Sequence, residues 1–149
     1  MAEYLSLRAA NDLVRKTAIG WLMTTFTTQA AKANRAGAAI QISRLDPHRF
    51  PAGNSTMVGR LLKLSLGVRD LTIEAGWPRT PSDGIVRGGG LACAQVKHLG
   101  RKTMNQELLL TRSARGAPRW MIVDKTNGRK DFDEADIQRQ VEILLRDEH

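Results

Sequence analysis

Cysteine is almost absent from the chain, which has one, Cys93, among 149 residues. A single cysteine excludes an intrachain disulfide and a zinc site built from several cysteines. Long apolar runs are absent as well, since none approaches the about 20 residues that a membrane-spanning helix needs. Hydrophobic residues make up 42% and charged residues 26%, which is typical of one globular domain. We therefore expect a cytoplasmic protein that does not enter a membrane.

Acidic residues are scarce in most of the chain. It holds 23 Lys and Arg against 15 Asp and Glu, a formal net charge of +8. Seven of the acids and two of the arginines lie in residues 131–149, so this segment carries −5 and residues 1–130 carry +13. A body this basic attracts polyanions, of which nucleic acid is the commonest. The charge therefore predicts a nucleic acid as the partner.

Apolar periodicity predicts a single domain of the α+β class. Residues 1–50 are expected to form an N-terminal extension dominated by a long helix at 5–33. An amphipathic, acidic helix is predicted within 131–149, with its acids near the helix start. Residues 55–125 are expected to form the core. We also expect the domain to contain a mixed sheet of about four to five strands.

Local patterns divide the chain further. Helical spacing predicts two short helices, at 56–66 and 102–113. Alternating or β-branched residues predict strands at 38–45, 68–77, 83–87, 91–98 and 119–124. Proline, glycine and asparagine mark 46–55 as a loop, and Gly88–Gly90 as the tight turn of a hairpin.

Three polar residues of this predicted hairpin are candidates for chemistry. Asp83 opens one strand, while Gln95 and Lys97 lie two residues apart on the next, which places both on one face. A turn at Gly88–Gly90 would bring Asp83 beside them. Two oxygen ligands and a cation at one point suit Mg²⁺-assisted hydrolysis of a phosphodiester. Lys97 would orient the attacking water or offset charge that develops on the phosphate.

Two short motifs give the chain a resemblance to a known family. Pro81-Ser82-Asp83 and Gln95-Val96-Lys97 resemble the motifs of the PD-(D/E)XK nuclease superfamily, and within it of small Holliday-junction resolvases. The family core is a helix, three strands, a helix and a strand, which is the order predicted here for 56–124. One residue is inserted in the first motif, and a glutamine replaces the usual acid in the second.

The resemblance implies roles for individual residues. It implies a magnesium-dependent endonuclease or junction resolvase acting on DNA, with Asp83, Gln95 and Lys97 as catalytic residues. Asp83 and Gln95 would be metal ligands, and Glu74 would supply a further one. A neutral Gln95 holds a cation less strongly than a carboxylate, so the sequence leaves open whether the chain is an enzyme.

Basic residues near this candidate site are expected to contact phosphates. They are Arg79, Arg87, Arg101 and Lys102. Resolvases cut two strands and act as dimers, so the resemblance also implies a homodimer. The helix at 5–33 would then be the dimer surface, or it would pack on the core of its own chain.

Two other functions remain open at this stage. Residues 61–76 could form a helix-turn-helix that binds DNA without cutting it, although Leu71-Thr72-Ile73 favours a strand there. The chain could also be a structural or assembly protein of a phage or mobile element. In both cases Asp83 would be a turn residue and Lys97 a solvated lysine, while Gln95 would still need hydrogen-bond partners if buried.

Overall fold

The computed structural model describes residues 2–112, 116–124 and 128–146, without the side chains of Tyr4 and Arg87. A long helix, α1 (Ala2–Arg35), is followed by a sheet and by a C-terminal helix, α2 (Glu134–Leu145). The strands are β1 (Gln41–Ala52), β2 (Ser55–Leu66), β3 (Arg69–Trp77), β4 (Ala92–His98), β5 (Gln106–Thr111), β6 (Arg119–Asp124) and β7 (Gly128–Asp131). Each strand pairs antiparallel with the next, in chain order.

The α+β class is confirmed, but the predicted sheet is wrong in two respects. The sheet has seven strands rather than four or five, and it is antiparallel throughout rather than mixed. Antiparallel neighbours need only short turns, so one meander of consecutive strands accounts for the whole sheet. No helix in the described parts of the chain is both long and apolar enough to span a membrane.

Both helices lie on one face of the sheet, which we call the helix side. The buried residues of α1 recur at helical spacing, and they are Ile19, Leu22, Met23, Phe26 and Ala30. They pack on alternate residues of the strands, among them Leu62, Leu64, Leu71, Ile73, Val96, Leu108 and Leu110. Burial of this apolar surface is the main stabilising contribution to the fold.

The C-terminal helix begins where the sequence predicts. Asp133 Oδ1 accepts a hydrogen bond of 3.2 Å from the backbone N–H of Asp136, whose carboxylate accepts one of 2.9 Å from the N–H of Asp133. This reciprocal capping box satisfies two backbone donors at the helix start. Phe132, just before the helix, stacks on Phe26 of α1 with ring centroids 6.4 Å apart.

A buried polar chain also holds α2 against the sheet. Gln140 Nε2 donates to Gln106 Oε1 at 2.7 Å, so Gln140 Oε1 is the acceptor for His98 Nε2 at 2.5 Å. Burial lowers the pKa of His98, with Arg101 lowering it further and the bond to Gln140 acting in the opposite direction. The fold therefore favours the neutral imidazole.

The opposite face of the sheet, which we call the open face, is partly covered by the chain itself. Gln95 Nε2 on β4 donates a long bond of 3.5 Å to the carbonyl of Pro51 on β1, three strands away. The end of the β1–β2 hairpin therefore curls over the open face. Gly59 and Gly76 permit this curl, because a Cβ at Gly59 would lie 1.8 Å from the carbonyl oxygen of Ala75.

The predicted helix at 56–66 is wrong, because these residues belong to β2. Met57 and Gly59 are buried on the open face, whereas Leu62 and Leu64 are buried on the helix side. A strand that changes its buried face along its length imitates the three- and four-residue spacing of a helix.

The predicted helix at 102–113 is wrong for a related reason, since its described part contains a short 3₁₀ turn and β5. Leu108 and Leu110 face the helix side, whereas Leu109 is buried on the open face. The loop before β4 covers Leu109 so closely that a Cβ at Gly90 would lie 2.3 Å from it. Because β5 is buried on both faces, its leucines form a continuous apolar run and do not alternate with polar residues as the strand signal requires.

Two further local predictions are corrected by the structure. Residues 83–87 form no strand, because the segment from Trp77 to β4 contains 3₁₀ turns, at Pro81–Asp83 and Arg87–Gly89. Residues 46–55 are mostly strand, because β1 continues to Ala52. Proline is compatible with β1 because it is an edge strand, in which half of the N–H groups have no ladder partner.

The helix-turn-helix alternative requires two helices within 61–76, and the structure has none there. These residues form the end of β2, a hairpin turn and β3. Gly67 has φ +62° at the turn, a conformation that glycine adopts without strain. Gly67 is therefore the turn residue of the β2–β3 hairpin.

Candidate functional site

Four polar side chains meet on the open face, and we call them the Glu74 cluster: His48, Glu74, Gln95 and Lys97. Glu74 Oε2 lies 2.7 Å from His48 Nε2, and Glu74 Oε1 lies 3.1 Å from Lys97 Nζ. Gln95 is the cross-strand partner of Glu74. The Glu74 side chain is 13% exposed, so its charge is largely shielded from water.

Strand register explains how these residues meet. Lys97 pairs with Thr72 and Gln95 with Glu74, so Gln95 and Lys97 share one face, as their spacing predicts. His48 on β1 is opposite Gly59, which has no side chain to separate it from Glu74 on β3. Phe50 stacks on the imidazole at 5.8 Å and fixes its plane. His48 was not predicted, because its partner lies two strands away.

The predicted hairpin that would bring Asp83 beside Gln95 and Lys97 is not formed, because residues 83–87 are not a strand. Asp83 ends the 3₁₀ turn Pro81–Asp83, and the backbone just after it is bound to Ser55, whose Oγ accepts from the N–H of Ile85 at 3.2 Å. Gln95 and Lys97 pair instead with Glu74 and Thr72 of β3.

The three metal ligands predicted from the sequence do not all lie together. Of Asp83, Gln95 and Glu74, only the last two are neighbours. Both carboxylate oxygens of Glu74 already have a cationic or hydrogen-bonding partner. Within residues 2–112, 116–124 and 128–146, no three His, Cys, Asp or Glu side chains are grouped to hold a metal. A Mg²⁺ ion here would need Glu74, Gln95 and water as its oxygen ligands.

Cys93 lies on the same face as Gln95, two residues before it in β4. Burial, together with the nearby carboxylates of Glu107 and Glu74, raises the pKa of the Cys93 thiol to about 12. The side chain is therefore a protonated thiol at neutral pH, and it is not activated as a nucleophile.

The four predicted phosphate contacts have different surroundings. Arg101 donates to the carbonyls of Ile143 at 2.9 Å and Arg146 at 3.1 Å, so it caps the end of α2. Lys102 is exposed beside Lys97 and lines the same surface cavity. The side chain of Arg87 lies outside the described residues. Arg79 is exposed and lies over Trp77 on the helix side, whereas the Glu74 cluster is on the open face.

Five arginines line the helix side where α1 leaves β1 uncovered, and we call them the arginine surface: Arg15, Arg44, Arg49, Arg60 and Arg79. Arg49, Val58 and Trp77 form one cross-strand row on the helix side. Arg60 lies in the next row, opposite Ala75, and Arg44 in the row after it, opposite Leu62. The sequence does not predict this surface, because its members come from α1, from the two strands β1 and β2, and from the loop after β3.

Trp77 organises one end of the arginine surface. The guanidinium carbon of Arg79 lies 3.7 Å from the centre of the Trp77 ring, and that of Arg15 lies 5.7 Å from it. Both contacts have the geometry of a cation–π interaction. Arg15 Nε also donates to the carbonyl of Leu91 at 2.7 Å. Two of the five cations are therefore held in fixed positions.

Two carboxylates are paired with the arginine surface. Asp12 lies 2.9 Å from Arg15, and the mostly exposed Asp46 lies 3.6 Å from Arg60. Five arginines and these two acids leave a local charge of about +3, which counts full ionisation at neutral pH. Arg44 contacts the Thr27 hydroxyl at 3.5 Å, and Arg49 is exposed.

No protein-family model matches the chain, and neither curated proteins nor solved structures show a significant similarity to it. The order implied by the PD-(D/E)XK resemblance differs from the observed one, since residues 55–125 contain five consecutive strands in place of the expected core. The resemblance stays a hypothesis based on two short motifs.

Proposed function

We propose that this protein binds nucleic acid through the arginine surface. The single observation that supports the proposal is the grouping of five arginines on the helix side, three of them on successive cross-strand rows and two against the ring of Trp77. Elsewhere on the sheet, cations such as Lys63, Lys97 and Arg119 are paired with carboxylates on the same face. The arginine surface thus retains a local excess of positive charge.

The chemistry of arginine fits a phosphate backbone. A guanidinium group has five donors in a planar fork that matches two phosphate oxygens, and it stays charged at any physiological pH. Successive rows on one face are about 6.6 Å apart, so three rows span about 13 Å. Duplex DNA carries one charge per about 1.7 Å of its axis. The arginine surface is therefore wide enough to meet several phosphates at once.

The experiment is a salt titration of binding to a labelled 20-base-pair duplex and to the matching single strand. If all five arginines contact phosphates, the logarithm of the duplex association constant should fall against the logarithm of salt with a slope of about −4.5. Arg49→Gln should reduce the slope by about 0.9. Lys63→Gln, on the open face, is the control and should leave it unchanged. Absence of binding at about 50 mM salt would contradict the proposal.

A second candidate function is metal-dependent hydrolysis of a phosphodiester at the Glu74 cluster. The observation that favours it is that Glu74, Gln95 and Lys97, all predicted site residues, lie within one group. We propose that Mg²⁺ would compete with Lys97 for the Glu74 carboxylate, leaving Lys97 to face the phosphate.

This second candidate is tested by incubating branched, duplex and single-stranded DNA with Mg²⁺ or Mn²⁺. Cleavage should disappear in Lys97→Ala while binding to the same DNA persists. Asp83→Asn should cleave like the unmodified chain, because the turn that holds Asp83 is bound to Ser55 and Asp83 is not a member of the Glu74 cluster. Metal-independent cleavage, or no cleavage with either metal, rules out this candidate function. Neither result affects the proposal that nucleic acid binds the arginine surface.

A further inference from the structure

The Glu74 cluster pairs an imidazole with a carboxylate in an arrangement that can move a proton. Glu74 Oε2 lies 2.7 Å from His48 Nε2, and an ionised carboxylate only accepts, so it holds the imidazole as the Nε2–H tautomer. The lone pair of the neutral ring is then on Nδ1. Across the described parts of the chain, no group forms a hydrogen bond with His48 Nδ1. This nitrogen is therefore free to accept a proton from a bound molecule.

The other oxygen of the same carboxylate holds a cation. Glu74 Oε1 lies 3.1 Å from Lys97 Nζ, so one carboxylate fixes a proton acceptor and an ammonium group side by side. The His48 side chain is 18% exposed and the Lys97 side chain is 48% exposed. The carboxylate that positions them is the most buried of the three groups. Both groups that would act on a substrate are therefore in contact with solvent.

The charges of the cluster change in the direction that a phosphate reaction needs. With a neutral imidazole, Lys97 and Glu74 cancel, and the three groups together carry no net charge. When His48 takes up a proton, the cluster becomes positive. Negative charge grows on the phosphate oxygens at the same step, so the attraction is strongest in the transition state.

The nucleophile has to come from outside the cluster, which limits the substrate. The Cys93 thiol is protonated at neutral pH, and no hydroxyl group in the described ranges is bonded to His48. A base beside a cation, without its own nucleophile, suits a substrate that contains one. RNA is such a substrate, because a 2′-hydroxyl lies beside each of its phosphates.

We propose that the Glu74 cluster cleaves RNA by attack of a 2′-hydroxyl on the adjacent phosphate, a reaction that needs no metal ion. His48 Nδ1 takes the proton of the hydroxyl while its oxygen forms a bond to phosphorus. The bond from phosphorus to the 5′-oxygen of the next nucleotide breaks, and that oxygen leaves with a proton from water. His48 then returns its proton to solvent. The products are a 2′,3′-cyclic phosphate and a free 5′-hydroxyl, so the step requires no further reactant.

The three side chains have separate roles in this reaction. His48 is the general base, and Lys97 donates to the phosphate oxygens, so both are catalytic residues. Glu74 touches no reacting atom and is a positioning residue for the other two, as a carboxylate is for the imidazole of a catalytic triad. The reaction does not involve the arginine surface, which lies on the opposite side of the sheet. It differs from the metal-dependent candidate at the same residues in its substrate and in its independence of a cation.

The first test incubates the full chain with a ribodinucleoside phosphate in the presence of EDTA. This substrate is too short to reach the arginine surface as well, so the result is separable from the nucleic-acid binding proposed above. A 2′,3′-cyclic phosphate should accumulate, and the deoxy analogue, which lacks the attacking hydroxyl, should stay intact. No cleavage in EDTA, or cleavage of the deoxy analogue, would overturn the proposal.

The second test separates catalysis from structure. His48→Gln keeps an N–H donor for Glu74 but has no basic nitrogen, so kcat should fall by about 100-fold or more while the melting temperature stays the same. Lys97→Gln, at the most exposed member of the group, should lower kcat by about 100-fold. Lys63→Gln is the matched control, because Lys63 belongs to a separate ion pair with Asp70 and should leave cleavage unchanged. Cleavage at the unmodified rate in either His48→Gln or Lys97→Gln would contradict the assignment.

The positioning role of Glu74 is tested by the separate effects on kcat and KM. Glu74→Gln should lower kcat, because the amide no longer holds His48 as a base, and KM should stay the same since Glu74 does not touch the substrate. Glu74→Asp keeps the charge and should retain more activity than Glu74→Gln. An unchanged kcat in Glu74→Gln would show that the carboxylate does not position His48.

Discussion

On the open face of the sheet, three cationic side chains have carboxylate partners from neighbouring strands. Lys63 lies 3.7 Å from Asp70, Lys97 3.1 Å from Glu74, and Arg119 3.3 Å from Asp131. On the helix side, the arginine surface groups five arginines, two of them against Trp77, and two acids are paired with it. The same sheet therefore neutralises positive charge on one face and concentrates it on the other.

Positive charge on the open face is part of ion pairs within the chain, whereas positive charge on the arginine surface is available for a partner. An exposed ion pair stabilises a fold by about 0 to 1 kcal/mol, so the open-face pairs are compatible with a purely structural role. Arginines grouped without matching acids repel one another, which adds nothing to the stability of the isolated chain. A bound polyanion would neutralise these arginines and remove their mutual repulsion, which accounts for their grouping.

The largest effect is expected at the glycine pair that lets β1 curl over the open face. Gly59→Ala should destabilise the chain by about 3 kcal/mol or more, since its Cβ would meet backbone at 1.8 Å. Gly20→Ala is the matched control. A Cβ there has nothing within 4 Å, so this change within α1 should stabilise by about 0.5 to 1 kcal/mol. Urea denaturation of both variants measures the contrast, and equal effects would refute the role of Gly59.

A smaller effect is expected within the Glu74 cluster. Glu74→Gln removes the charge that two partners share and should cost about 1 to 2 kcal/mol of unfolding free energy. Asp70→Asn, at the longer Lys63–Asp70 pair, should cost less than about 0.5 kcal/mol. Neither change lies on the arginine surface, so nucleic-acid affinity should stay the same. A strong loss of affinity in Glu74→Gln would instead favour binding on the open face.

The smallest effect is a pH dependence carried by His98. Burial lowers its pKa in the folded chain, whereas the unfolded chain has the ordinary value of about 6.5. The unfolded state therefore binds the proton more readily, and stability present above about pH 6.5 is lost as the pH falls below it. His98→Asn should flatten the melting temperature between about pH 7 and pH 5 relative to the unmodified chain. An unchanged slope would show that His98 does not contribute.

Some elements of the fold are predictable from sequence because each buries one face with one period. The helix predicted at 5–33 is part of α1, the strand at 119–124 is β6, and the helix predicted within 131–149 is α2, with acids at its start. In β2 and β5, by contrast, the buried face changes or both faces are covered. Periodicity within one strand does not reveal a neighbour that folds over it from far along the chain.

The candidate sites are likewise predictable only where a local pattern in the sequence determines the geometry. The common face of Gln95 and Lys97 is predictable, because it depends only on a spacing of two. The contact of His48 with Glu74 depends on the pairing of β1, β2 and β3 and on the absent side chain of Gly59. The arginine surface likewise requires the register of three strands, which no local pattern contains.

The most direct measurement compares two triple variants that remove the same number of positive charges. One combines Arg49→Ala, Arg60→Ala and Arg79→Ala on the helix side. The other combines Lys63→Ala, Arg119→Ala and Arg129→Ala on the open face. Affinity for a 20-base-pair duplex at about 100 mM salt should fall by about 100-fold or more in the first and by less than about threefold in the second. Equal losses in both would show that net charge alone governs binding, and they would contradict the arginine surface as the site.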